Sequence, residues 1–474
     1  MGIPNIFQTG RSGMVAHKAA IATTGHNISN TNTDGYSRQR VQMEAEVING
    51  NKLGKNIIGN GTKINRVERI NDLYVEKQLR YAGRDMAHME EKNLILSQTE
   101  DIFNEMNGEG LNRLVSRFFN EFRKLSNEPE NEAMRQSVRE ASSSMVNDFH
   151  RLRNEVEQIR ANIDIRLDGY SREVTALSQE VADLNQKIRQ EEILGGSAND
   201  LRDKQDVALK KLSEYMDLST HPDKEGSLVV EIRNVGPLVS GNKGESFSVE
   251  RSPADGVGKP ENGVDLRTSA AANGIVTHAI RGGKMGALLE VRDKTLSTIL
   301  DRLDELAYTL TDTVNEIHTQ GFTRNGFQNV DFFKKQNSTF RAAEFLDLSD
   351  AVKDNVNNIS TAAQPDSPGD NRIAIAISGL QGMKILNDGN ATFDAWYNSI
   401  VSDVGVATNK NRVGMNQQKD IMTQLGKMRD QISGVSIDEE TANLMQYHQA
   451  YDASAKVIQV ADEMLKTVLE LKRY

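Results

Sequence analysis

Apolar residues return every three or four positions over long stretches of this chain, and the two ends share one rhythm. Phe7, Met14, Ile21 and Ile28 fall seven apart, beside the small surfaces of Ala16, Ala19, Ala20 and Ala22. Leu444, Tyr451, Ile458 and Leu465 also fall seven apart, interleaved with Tyr447, Ala461 and Val468. A seven-residue apolar repeat is the mark of a helix that packs along one seam, so the spacing predicts two coiled-coil helices that pair with each other. In the interior, Met145, Phe149, Leu152, Val156, Ile159 and Ile163 begin a run of three- and four-residue steps that continues through Leu167 to Ile188. That run predicts a rod of roughly 65 Å, ended by Gly195-Gly196. Shorter stripes run from Leu111 to Leu125 and from Leu296 to Ile317, the second stopping at Gly321.

Proline placement supports this division, because proline breaks a helix from within. None occurs between Pro129 and Pro222, and none follows Pro368. From Pro222 to about Ile280 the pattern changes to short β-type runs, Leu228 to Ile232, Leu238-Val239 and Phe247 to Val249, separated by Gly, Pro and Asn turns. Pro253 to Pro260 reads as a surface loop, and Gly326 to Gly369 as a second loop-rich stretch. The fold class expected is mainly α: an elongated multi-domain protein with paired terminal helices, a long-helix body and a small inserted β-rich domain. The segments are 1–45 (N-terminal coiled-coil helix and turn), 46–218 (body, first part), 219–281 (β-rich insert), 282–435 (body, second part) and 436–474 (C-terminal coiled-coil helix). The insert is expected to point outward and to be dispensable for assembly.

Composition narrows the function. Only 37% of the 474 residues are hydrophobic and 5% aromatic, which suits long amphipathic helices better than one large globule. A net charge of -10 lacks the cationic footprint that nucleic acid or an anionic membrane surface requires. The absence of cysteine removes disulfides, thiolate zinc sites and thiol nucleophiles. No cleavable signal pattern opens the sequence, since Arg11, His17 and Lys18 interrupt the first stretch, and no run is apolar enough to span a bilayer.

The eight histidines lack metal-ligand spacing, and Gly282-Gly283-Lys284 lacks the first glycine and the Ser or Thr of a phosphate loop, so it reads as a turn entering a helix. Glu90-Glu91 and Glu439-Glu440 are expected on solvated helix faces. Ser436 and Glu439 have the spacing of a capping box that starts the last helix. No catalytic, cofactor or metal residue is assigned, and no enzyme activity is expected.

The turn after the first helix is Asn30-Thr-Asn-Thr-Asp-Gly35, rich in residues that accept the positive φ of a sharp exit, and Gly35 is assigned that conformation. Asn27, Ile28 and Asn30, followed by Thr33, Gly35, Tyr36 and Ser37, resemble the N-terminal signature of the flagellar axial proteins, which include rod, hook and hook-associated proteins. Arg38-Gln39 and the phrase Ser433 to Tyr451 are similar to the FlgK-type hook-associated class. Interior phrases agree, among them Asn199-Asp200-Leu201 with Asp203 and Asp206, and the stretch Phe393 to Gly405. Only a short linker follows Asp331-Phe332-Phe333, where family members often carry a large outer insertion.

The resemblance implies a structural subunit of the hook–filament junction. Its partners would be copies of itself, the hook protein, the third hook-associated protein, an export chaperone on the C-terminal helix and the flagellar type III export apparatus. It also implies location in the extracellular flagellum, with no cofactor. The alternatives are a distal rod or hook subunit, and a cytosolic coiled-coil adaptor. The nine signature residues from Asn27 to Gln39 and the stripe Leu444, Tyr447, Tyr451, Ile458, Ala461, Leu465 and Val468 are the expected assembly residues.

Overall fold

The computed structural model describes residues 3–46, 59, 61–103, 110–251, 263–269, 271, 274–367 and 369–471. The loop expected from Pro253 to Pro260 lies outside the described residues. Helices dominate: α1 (Ile3–Ser29), α2 (Leu73–Ile102), α3 (Leu111–Asn127), α4 (Glu132–Ile193), α5 (Asn199–Ser213), α6 (Gly283–Glu290), α7 (Ser297–Gln320), the short α8 (Ala342–Phe345) and α9 (Asp350–Asp354), α10 (Arg372–Gly379), α11 (Phe393–Ser433) and α12 (Ile437–Leu471). A π-helical turn, Val291–Leu296, joins α6 to α7. The accessible surface is 25690 Å², against about 17,600 Å² for a compact monomer of this mass, so the molecule is strongly elongated.

The interior apolar run becomes α4, a single helix of 62 residues that begins earlier than the periodicity suggests, at the Asn131 cap, and reaches about 93 Å. Its N-terminal half packs on α3, which turns Phe118, Phe119 and Phe122 inward. These rings meet edge to face, with Phe118 centroids 5.0 Å from Phe119 and 5.2 Å from Phe122. Phe332 and Phe333 close the same cluster. Arg153 of α4 makes a two-point ion pair with Asp304 of α7 at 2.9 and 2.8 Å, and the Ala343 amide of α8 donates to the same carboxylate. The entry to α6 holds Gly282 and Gly283 at φ 68° and 61°. A Cβ on Gly283 would stand 2.4 Å from the Tyr215 carbonyl carbon, so only glycine fits.

The β-type stretch forms a four-stranded antiparallel sheet of β3 (Leu218–Pro222), β4 (Leu228–Ile232), β5 (Gly236–Ser240) and β6 (Lys243–Gly244), with the separate pair β7 (Phe247–Arg251) and β8 (Val264–Thr268). It is laid on the second half of α4. Thr175, Ser178 and Asn185 of α4 hydrogen-bond to Phe247, Glu245 and Leu228, and Val230, Leu238 and Phe247 join the apolar core of Val174 and Val181. The sheet thus completes the body. Near the N-terminus stands a further pair that the apolar pattern does not announce: β1 (Gln39–Ala45) and β2 (Thr62–Arg69) form an antiparallel hairpin with a register shift between Gln42 and Met43. The boundary drawn at residue 45 falls inside that hairpin.

α1 and α12 pair antiparallel, but not along the expected seam. The buried line of α1 is Gly10, Ala16, Ala20, Thr24 and Asn27, whereas Phe7 is exposed and Met14, Ile21 and Ile28 are half-covered. Gly10, His17 and Thr24 form one seven-residue line, and Gly13, Ala20 and Asn27 the other. A Cβ on Gly10 would lie 2.7 Å from Ile458, and one on Gly13 would lie 2.8 Å from the Ser454 hydroxyl. Backbone-to-side-chain contact this close needs glycine, so the large residues are displaced to the flank.

Candidate functional site

Where α1 ends, its last turn, α12, the N-terminal hairpin and α5 meet in a buried polar joint. Asn27 is 1% exposed and uses its whole side-chain capacity. Its Nδ2 donates to the Gln39 carbonyl and to Glu440 Oε2, both at 2.9 Å. Its Oδ1 accepts from Tyr36 Oη at 2.8 Å and from the Gln39 amide at 2.9 Å. The single Tyr36 hydroxyl hydrogen goes to Asn27, so the 3.0 Å contact with His26 Nδ1 requires the imidazole to donate. Burial, followed by the charges of Asp200, Asp203 and Glu440, pushes the Tyr36 phenol well above its ordinary pKa and keeps it a donor.

Arg38 clamps the start of α12, with Nη1 on Glu439 at 2.9 Å and Nη2 on Glu440 at 2.7 Å. Its backbone bridges two chain segments: the amide donates to Ser433 O, and the carbonyl accepts from the Ile70 amide. On the body side, Asp200, Asp203 and Asp206 stand at three-residue steps along one face of α5. Asp200 accepts from Gln39 Nε2 at 2.7 Å, Asp203 from the Ser37 amide at 3.2 Å, and Asp203 and Asp206 share Arg69 at 2.7 and 2.9 Å. Burial works against the charge of Arg69, but Asp206 and Asp203 outweigh it and raise its pKa. Burial raises the Asp203 carboxyl, with Arg69 offsetting part of the rise.

The signature residues divide by role. Asn27, Tyr36, Ser37, Arg38 and Gln39 belong to the joint. Asn30 and Thr33 build the turn, Thr33 Oγ1 donating to Asn30 Oδ1 at 3.1 Å. Gly35 sits at φ 77°, with its Cβ direction blocked by Val207. Ile28 is half-buried on the flank. In α12, Leu444, Tyr447, Tyr451 and Ile458 are half-buried, Ala461 is buried, and Leu465 and Val468 are exposed near the start of α1.

The expectation that Glu439-Glu440 and Glu90-Glu91 lie on solvated faces fails at one residue of each pair. Glu440 is 2% exposed and salt-bridged, and Glu91 is 7% exposed and bound by Arg166 and Tyr170. Glu439 turns to Arg38. Glu440 stands seven residues before Tyr447, in line with Ser454, Ala461 and Val468, and this position was the available signal. Arg69, Asp203, Gly10, Gly13 and Ser454 were likewise not assigned. Among the described residues, no group of three or more His, Asp or Glu could hold a metal ion, and no helix is long and apolar enough to cross a membrane.

Comparison with known proteins places these features in one lineage. Residues 96–333 match the helical domain of the flagellar hook-associated protein FlgK. Residues 7–36 match the flagella basal body rod protein family, and residues 430–471 the C-terminal region of flagellar basal body rod FlgEFG proteins. The flagellar hook-associated protein 1 of Bacillus subtilis is 28% identical, over 98% of this chain and 97% of that protein. Its counterpart in Salmonella typhimurium is 24% identical, over 97% of this chain and 98% of that one. The solved structure of the flagellar hook junction protein FlgK from Burkholderia pseudomallei superposes with a TM-score of 0.66 at 14% identity, covering 75% of this chain and all of that one. With half its length matched by the FlgK helical domain and both ends by axial-protein families, the chain belongs to the FlgK family of flagellar hook-associated proteins.

Proposed function

We propose that this protein is a structural subunit of the bacterial flagellum that polymerises as the junction layer between hook and filament. The carrying observation is what the terminal pair leaves uncovered. With α1 and α12 already joined through a small and polar seam, their large apolar side chains point elsewhere: Phe7, Val15, Val457, Val460, Met464 and Leu465 are all exposed. Such a surface is stabilised when neighbouring copies cover it, each side chain contributing on the order of 1.5–3 kcal/mol. The surface suits repeated head-to-tail association, in which different patches of one molecule meet.

Hook protein on one side and the third hook-associated protein on the other are the partners this position requires. A chaperone covering α12 before export would keep the same apolar surface from aggregating. Export through the flagellar type III apparatus completes the reading. The assembly residues are those of the joint together with the stripe from Leu444 to Val468. Electron microscopy of flagella carrying a tagged copy tests it: label confined to the hook–filament joint is expected, and label along the whole hook or rod would replace this reading with a hook or rod subunit.

A further inference from the structure

The charges of α3 run against the balance of the chain. The sequence holds 67 acidic and 57 basic residues, yet every charged residue of α3 but one is a cation: Arg113, Arg117, Arg123 and Lys124, all exposed. The exception, Glu121, is mostly covered and pairs with Lys124 at 2.7 Å. Arg113, Arg117, Asn120 and Lys124 follow one another at steps of four, three and four, so they form one line along the outer face of the helix. Phe118 and Phe122 anchor the opposite face in the core and hold that line outward. The composition of α7 is the inverse. Asp301, Glu305, Tyr308 and Asp312 repeat the steps of four, three and four on its outer face, and Glu316 extends the line. Among the described residues none of these four carboxylates has a salt bridge, and the one arginine of α7, Arg302, turns aside to Asp403 and the Trp396 ring. Along the Tyr308 to Glu316 part of the line runs a groove of about 300 Å³, in which the one lining cation is Lys335.

We propose that α3 of one copy docks on α7 of the next, as a contact between bodies within the junction layer. The proposal rests on the junction reading above, and it uses patches that lie apart from α1 and α12. Like charges four residues apart on one helix repel, so each stripe weakens its own helix and supplies the charge that relieves the other. A spacing of four, three and four reads the same in both directions. The end cations Arg113 and Lys124 therefore meet Asp301 and Asp312 whichever way the helices run, and Arg117 meets either Glu305 or the Tyr308 ring. Stripes of the same kind repel, which disfavours a dimer closed on either one and leaves a contact that repeats from copy to copy. Exposed ion pairs contribute little one at a time, so free chains stay apart and the contact forms where the layer already holds copies side by side.

The test uses assembled flagella from cells that make the full chain with Asn120→Cys and Glu305→Cys, positions near the middle of the two stripes. The chain has no cysteine of its own, so a short bis-maleimide can join it only through the introduced thiols. A ladder of covalent multiples is expected from the double variant, dimers and nothing larger from cells making both single variants together, and monomer from either single variant alone. Monomer throughout, dimers from one single variant alone, or a link from position 120 to a different flagellar protein overturns the contact. Charge reversal reads the same contact without a cross-linker. Arg113→Glu, Arg117→Glu and Lys124→Glu together should lower the fraction of cells with attached filaments roughly tenfold or more, because like charges then face each other. Adding Asp301→Arg, Glu305→Arg and Asp312→Arg should restore it, with helical circular dichroism unchanged in both chains; a chain that keeps its fold and shows no loss, or no restoration, overturns the contact. A tagged copy found at the hook–filament joint without a ladder overturns this contact alone, whereas a tag spread along the hook or rod overturns the junction reading as well.

Discussion

In the body, α3 presses Phe118, Phe119 and Phe122 against Phe332 and Phe333 with nothing left exposed, and α4 lines the rest of the core with Val, Leu and Ile. In the terminal pair, α1 meets α12 through Gly10, Gly13, Ala20 and Asn27, and its aromatic residue, Phe7, faces outward. The first association gains from buried area and tolerates some change of shape. The second gains from close approach and directed bonds, buries little apolar surface, and keeps its large side chains for other molecules. One chain thus carries a part whose apolar core is closed within the body and a part that leaves large apolar side chains uncovered.

The largest blow to the body is predicted from its sheet. Deleting Gly226 to Asn262 behind a short linker removes Val230, Leu238, Val239 and Phe247 from the core over Val174 and Val181. It should destabilise the body by on the order of 6 kcal/mol or more. Urea unfolding followed by circular dichroism measures this, and an unchanged midpoint would restore the sheet to the status of a dispensable insert. Phe118→Ala comes next, at about 3–5 kcal/mol, with hydrogen exchange in α12 unaffected. Loss of protection in α12 would show that the two regions are not energetically separate.

Acid distinguishes the regions by a comparable amount. His318 is wholly buried in the body, its Nδ1 donating to Val330 O and its Nε2 accepting from the Ser360 amide. Burial pushes its pKa down to about 4. The unfolded chain takes up that proton near pH 6.5 and the folded chain only near 4, so the unfolded state binds more protons in between. Stability therefore falls as the pH drops through this window, by roughly 3 kcal/mol in all. His318→Gln should remove this part of the pH slope, and a parallel slope in the variant would assign it to other groups. The smallest effect is expected from Gly10→Leu, which wedges α1 from Ile458 at about 1–3 kcal/mol. Exchange should rise in α1 and α12 while the urea midpoint of the body stays fixed. A shifted midpoint would mean that the pair supports the body.

The long helices were legible because their apolar residues are large and periodic; α4 and α7 follow the stripes that predict them. The seam of α1 was not, because glycine and alanine carry no hydrophobic signal while Phe7, Met14, Ile21 and Ile28 carry a strong one beside it. The Asn27 to Gln39 signature could be located by resemblance, but its partners Asp203 and Glu440 lie 166 and 413 residues away from the groups they bind, and no local pattern links them. The N-terminal hairpin did leave a trace: Val41, Met43 and Ala45 alternate with Arg40, Gln42 and Glu44, a period of two masked by the turn signature before it.

The bond from Asn27 to Glu440 also sets an order of events in the making of the protein. Translation at about 5–20 residues per second needs roughly half a minute to a minute and a half for 474 residues, and Glu440 emerges only near its end. Throughout that interval the body can collapse around α3 and α4 while α1 waits without its mate. The same small and polar seam that demands close approach in the finished molecule offers little for a nascent chain to stick to. The first helix to be synthesised is therefore among the last to find its place, and it spends the interval with a seam that water tolerates.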